Sequence, residues 1–137
     1  MKRSIQSSRG IMGFAVLTLV TMASAAFAQD NIALKARGEG FHDDGSSFLA
    51  MGKYLEKADK IKNIFKIRHG MSEAEYTFCV STDECTFQVT LTTNARGRAK
   101  LKYSSRDGTL PDDFPQIREG DILMVNGQEI DVYRHPD

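Results

Sequence analysis

Apolar and polar residues alternate over much of the chain, most plainly between Cys85 and Tyr103. Phe87, Val89 and Leu91 fall between Thr86, Gln88, Thr90 and Thr92. After Asn94-Ala-Arg-Gly97 the beat resumes, with Ala99, Leu101 and Tyr103 set against Arg98, Lys100, Lys102 and Ser104. A period of two describes strands with one dry and one wet face. The pattern predicts two strands joined by a tight turn, a hairpin at the centre of the fold.

Other segments extend the pattern. Ile32 to Arg37 reads as a short strand, and Gly38 to Ser47, rich in glycine, serine and aspartate, as a flexible loop. Phe48 to Lys57 suits either a buried strand or a short amphipathic helix; Gly52 and the strand-like segment after it favour the strand. Next come Ile61, Phe65 and Ile67 against Lys62, Lys66 and Arg68, a set into which Asn63 and Ile64 fit poorly. The Lys57 to Lys60 turn makes these two segments a hairpin. Tyr76, Phe78 and Val80 form the inward side of the next strand. Asp107-Gly108, Pro111 and Pro115 rule out a regular strand through that stretch. Asn126-Gly127 is a type I′ hairpin signal between Ile122–Val125 and Gln128–Tyr133, with Ile130 and Val132 expected inward. Seven to eight short strands without a helical period or parallel crossover predict an all-β chain: a small antiparallel β-sandwich or partly closed barrel. The sandwich is expected over residues 48–137, with an N-terminal strand and flexible loop over 29–47.

The first 28 residues belong to a different category. Lys2, Arg3 and Arg9 precede an apolar run from Ile11 to Ala26, and Ala26-Phe27-Ala28 offers a small-x-small site. This is the pattern of a secretory signal peptide cleaved after Ala28. The product expected is periplasmic or secreted, with no stable membrane insertion once the signal is removed. The whole chain has zero formal net charge, but removing Lys2, Arg3 and Arg9 leaves 15 basic against 18 acidic residues, a net of −3 over 109 residues. That suits a single domain and argues against bulk attraction to nucleic acid.

Cys79 and Cys85 both survive processing, and an exported chain with two nearby cysteines predicts a local disulfide. The five-residue gap matches neither a CxxC redox motif nor half of a zinc ligand set. Alternation places Cys79 on a wet face and Cys85 on a dry one. Paired cysteines have to share a face, so the pattern predicts a bulge or an irregular strand end beside one of them.

From Leu49 to Val125 the order of elements, and most particularly Phe114-Pro-x-Ile-x-x-Gly-Asp121, resembles a recurrent all-β unit of secreted bacterial proteins akin to transthyretin-like or immunoglobulin-like sandwiches. The resemblance implies a fold. It carries over no catalytic residue, and the cysteine pair departs from it.

Chemistry leaves few marks. There is no Gly-x-Ser-x-Gly elbow, His-Glu-x-x-His pair or phosphate loop, and His42, His69 and His135 are scattered. No catalytic, cofactor or metal site is expected; the adjacent His42, Asp43 and Asp44 lack the ligand spacing of a calcium loop. Lys62, Lys66 and Arg68 line the wet face of one strand, and Arg98, Lys100 and Lys102 that of another. If the two strands are neighbours they make a basic stripe suited to an anionic surface glycan or an acidic extracytoplasmic protein. Exposed lysines also guard sheet edges, which is the plainer role for such residues. Absent tryptophan and only four tyrosines disfavour an aromatic sugar platform. The expectation is an exported, non-enzymatic binding module. The alternatives are a small inhibitor inserting Gly38 to Ser47 or Asp107 to Pro115 into a hydrolase, and a small hydrolase with His42 or His69 beside a carboxylate.

Overall fold

The computed structural model describes residues 31–81 and 84–136. The expected leader and its cleavage after Ala28 lie outside the described residues. Eight strands follow in order: β1 (Ile32–Phe41), β2 (Ser47–Lys57), β3 (Lys60–Arg68), β4 (Glu75–Ser81), β5 (Cys85–Thr92), β6 (Ala99–Ser104), β7 (Ile122–Val125) and β8 (Gln128–Val132). They build two four-stranded sheets, ordered β1-β2-β3-β6 and β5-β4-β7-β8. Every strand pair is antiparallel. This is the all-β sandwich that the alternation predicts, with no closed barrel.

The central hairpin does not form. β5 pairs with β4, β6 pairs with β3, and the Asn94 to Gly97 turn carries the chain from one sheet to the other. Phe87 and Tyr103 therefore meet across the core, ring centroids 6.2 Å apart, instead of lying side by side. Alternation is blind to this difference, because two strands facing each other across a core show the same period as two paired in one sheet. The corner itself is anchored. Asn94 Oδ1 accepts from the Arg96 and Arg98 backbone N–H groups, and the Gly70 N–H donates to the Gly97 carbonyl at 2.9 Å.

β1 runs to Phe41, four residues beyond the strand expected there, and takes Gly38 and Gly40 into the ladder with β2. At Gly40 the reason is space: a Cβ there would run into the Phe48 ring. A glycine needed for close approach looks, in sequence, like a glycine needed for a turn. β2 is a strand throughout, and the two-residue Asn126-Gly127 turn has positive φ at both positions, 54° and 78°. Ile130 packs against the core as expected. Val132 does not: an irregularity between Leu123 and Met124 shifts the β7–β8 register, and fully buried Tyr133 takes the inward place.

Phe48, Tyr54, Phe65, Tyr76, Phe78, Leu123 and Val125 form the centre of the core. From the irregular segment between β6 and β7, Ile117 joins this core and half-buried Phe114 packs against it. The Phe114 ring lies 4.9 Å from Phe87 and 5.7 Å from Tyr103. One side of the sandwich is sewn shut. Lys35 of β1 and Arg134 exchange backbone hydrogen bonds of 2.9 and 3.1 Å, and Arg37 N–H donates to Asp131 Oδ2. Gln128 spans the same seam, accepting from Phe41 N–H and donating to the Phe41 carbonyl.

The disulfide joins Cys79 and Cys85. The anticipated bulge is present: Val80 faces Phe87 while Ser81 faces Cys85, so the register slips past Thr86. That slip turns Cys85 to the outer side of its sheet, where Cys79 already lies. A disulfide is consistent with an extracytoplasmic, oxidising compartment.

Candidate functional site

The two sheets differ in their charge. Counting strand by strand, lysine and arginine number two in β1, two in β2, four in β3 and two in β6; β4, β5, β7 and β8 contain none. Every cationic strand residue therefore belongs to one sheet. Since β3 and β6 are hydrogen-bonded neighbours, the two basic strands singled out in the sequence do lie side by side.

Registry sets the rows. Arg37, Met51, Lys66 and Lys100 stand opposite one another across β1, β2, β3 and β6, and Lys35, Lys53, Ile64 and Lys102 form the adjacent row. Lys62 completes the stripe beyond that row, and Arg68 extends it toward β1 and β2. Alternation points all of these to the outer face, because Leu34, Ala36, Phe48, Ala50, Phe65 and Ile67 between them are buried. Glu39 is the one acid among the strand positions of this face. Arg98 sits just before β6 and borders, with Lys66, Arg68 and Lys100, a shallow depression.

None of these cations takes part in an ion pair among the described residues; the pairs present are Arg106–Asp59, Arg118–Glu56, Arg134–Asp131 and His135–Glu119. Lys62 registers the crowding. Repulsion from Lys102, then desolvation and further repulsion from Lys60, Lys53 and Lys100, holds its ammonium below the usual lysine range. Lys35 stands directly opposite Lys53, and Lys66 opposite Lys100; like charges so opposed across strands destabilise a sheet.

The centre of the face is partly apolar. Leu49 and Met51 form the floor of a depression of about 200 Å³ whose other lining residues are Arg37, Lys66 and Arg68. Lys35, Arg37 and Lys53 escape a reading of single strands, since only the pairing of β1 with β2 and of β2 with β3 brings them near Lys66. The one available signal was the absence of lysine and arginine from Tyr76 to Thr93 against their density in residues 35–68.

The histidines are placed differently. His42 is held in a hydrogen-bonded chain: Met71 N–H donates to Tyr76 Oη, Tyr76 Oη–H to His42 Nε2, His42 Nδ1–H to Ser46 Oγ, and Ser46 Oγ–H to Asp44 Oδ1. The carboxylate at its end accepts only, which makes Ser46 Oγ–H the donor to Asp44 and His42 Nδ1–H the donor to Ser46; with the ring neutral, its Nε2 accepts from Tyr76. The serine hydrogen is thereby directed to Asp44 and not to the imidazole, the reverse of a nucleophile with its base. His69 is exposed, with φ of 59°. Among the described residues no three His, Cys, Asp or Glu side chains are grouped to hold a metal.

No protein-family model, no curated protein and no solved structure matches the chain.

Proposed function

We propose that this protein is an exported, non-enzymatic β-sandwich whose basic sheet docks onto an anionic glycan outside the cytoplasm. The observation that carries the reading is the segregation of charge, with ten strand cations on one sheet and none on the other. Lysines kept only to guard edges would sit on edge strands of both sheets; here the interior strand β3 holds three, together with Arg68. Cations spaced by the strand repeat of about 4.8 Å form a lattice that a flexible polyanion can follow, and the net negative charge of the rest of the molecule orients the encounter. The disulfide and the leader pattern support a periplasmic or secreted setting. The likeness to transthyretin-like or immunoglobulin-like sandwiches supports a scaffold role in which the faces, not a cleft, make contact.

The test is retention on immobilised polygalacturonate. Lys66→Gln with Lys100→Gln removes one directly opposed pair and lowers affinity about tenfold at low salt, the loss shrinking as salt screens the face. Arg106→Gln with Arg118→Gln removes the same charge off the face and leaves retention nearly unchanged. Equal losses from both pairs would show that net charge alone governs binding and would end the reading.

A second reading, the hydrolase inhibitor, has one observation in its favour. Among the described residues two large hydrophobics are exposed, Phe41 and Met71, and both line one depression beside His42 and Asp44. Recovery of a hydrolase from envelope extract, abolished by Phe41→Ser, would support it; recovery unaffected by that change would not.

A further inference from the structure

A sandwich of two four-stranded sheets has four sheet edges, and this chain treats them unequally. The edges of β1 and β8 are sewn to each other through Lys35–Arg134, Arg37–Asp131 and Phe41–Gln128. The edge at β6 carries Lys100 and Lys102, charges that repel a second β6. The edge at β5 has neither device. It runs for eight residues, Cys-Thr-Phe-Gln-Val-Thr-Leu-Thr, without a charge or a proline. Beyond its ladder with β4, no backbone hydrogen bond to another element engages Cys85–Thr92 among the described residues.

We infer that β5 is a self-association edge, at which two copies of this chain pair β5 with β5 in antiparallel fashion to make one continuous eight-stranded sheet. The occupant is a second copy because the strand is self-complementary. A two-fold axis near its middle sets an uncharged strand against its own sequence, and no like charges oppose each other. The outer row of Thr86, Gln88, Thr90 and Thr92 supplies the small hydroxyls and amide that pair across strands. Thr90 Oγ1 already does so with Thr77 Oγ1 inside the protomer, at 3.0 Å. On the inner side, half-buried Val89 lies between buried Phe87 and Leu91, so continuing the sheet covers its remaining exposure. The one irregularity, the bulge beside Cys85, lies at the strand's start and leaves Phe87 to Thr92 regular. The paired sheet is the one without strand cations, which leaves both basic faces of the dimer free.

Sedimentation of the exported protein without polyanion tests this independently of what the basic face binds. The wild type is expected to dimerise with concentration, and Gln88→Lys with Thr90→Lys to weaken the dimer at least about tenfold by setting lysines opposite lysines across the axis. Glu129→Lys, on the far strand of the same sheet, leaves it unchanged. Hydrogen exchange on the wild type gives a readout that needs no variant: protection rising with concentration and confined to Cys85–Thr92. A wild type that stays monomeric to about 1 mM, a dimer indifferent to the two lysines, or a monomer that takes up an extended peptide at β5 in place of its own copy would each overturn the inference.

Discussion

Replacing Asn63 by valine should make this protein more stable. Asn63 lies on the inner side of β3, opposite Tyr54 of β2 and Tyr103 of β6, and is fully buried. Neither its Oδ1 nor its Nδ2 has a hydrogen-bond partner among the described residues. A buried amide in that condition costs about 1–3 kcal/mol relative to a paired or solvated one. Valine removes both polar atoms and is β-branched, which suits a strand. Its somewhat larger body takes back part of the gain. The net expectation is about 1–2 kcal/mol, or a rise of about 4–10 °C in Tm for a domain of this size. Urea unfolding followed by far-ultraviolet circular dichroism measures it, the chain having no tryptophan to report by fluorescence. Asn63→Asp, which buries a carboxyl at the same place, should lose several kcal/mol. If Asn63→Val instead loses 1 kcal/mol or more, the amide is satisfied in solution and the burial argument fails.

Three further outcomes follow from the packing and the turns. Gly52→Ala drives a methyl into the Tyr133 hydroxyl, held between Gly52 and the core, and should destabilise by about 2–3 kcal/mol in the same unfolding assay; a neutral result would mean that Tyr133 moves freely. Reducing the Cys79–Cys85 disulfide opens a loop of sequence separation 6 and should lower stability by about 2 kcal/mol while leaving the circular dichroism spectrum unchanged. Hydrogen bonds from the side chain and backbone of Ser46 hold the Asp44 carboxyl below its ordinary range, and those from Thr109 do the same for Asp107. Because folding depresses both, their contribution is present above the unfolded value of about 4 and is lost as pH falls through the folded values. Asp44→Asn with Asp107→Asn should therefore flatten the acid limb of a plot of urea midpoint against pH, and an unaltered limb would contradict the assignment.

The strands were legible because burial on one face writes a period of two into the sequence, and Phe87, Val89 and Leu91 or Tyr76, Phe78 and Val80 keep it without fault. Sheet membership was not, since facing and neighbouring strands share that period; the chain chooses between them at the Asn94 corner, through contacts with residues 70–74 that are remote in the pattern. Glycine misled at Gly38 and Gly40, where the requirement is for room, beside the Ile130 carbonyl at the first and the Phe48 ring at the second. Asn63 was visible as a misfit, and the structure shows it to be a polar side chain placed inside the core. Of the basic face, Lys62, Lys66, Arg68, Lys100 and Lys102 were readable as wet-side residues of two strands. Lys35, Arg37 and Lys53 needed the registry of β1, β2 and β3.

The most direct measurement is a map of where an anionic oligomer touches the protein. Titrating an oligogalacturonate into isotopically labelled protein and following backbone amide shifts should perturb β1, β2, β3 and β6, strongest around Met51, Lys66 and Lys100, and should fade at high salt. Shifts gathered on β4, β5, β7 and β8, or spread evenly over both sheets, would contradict the account.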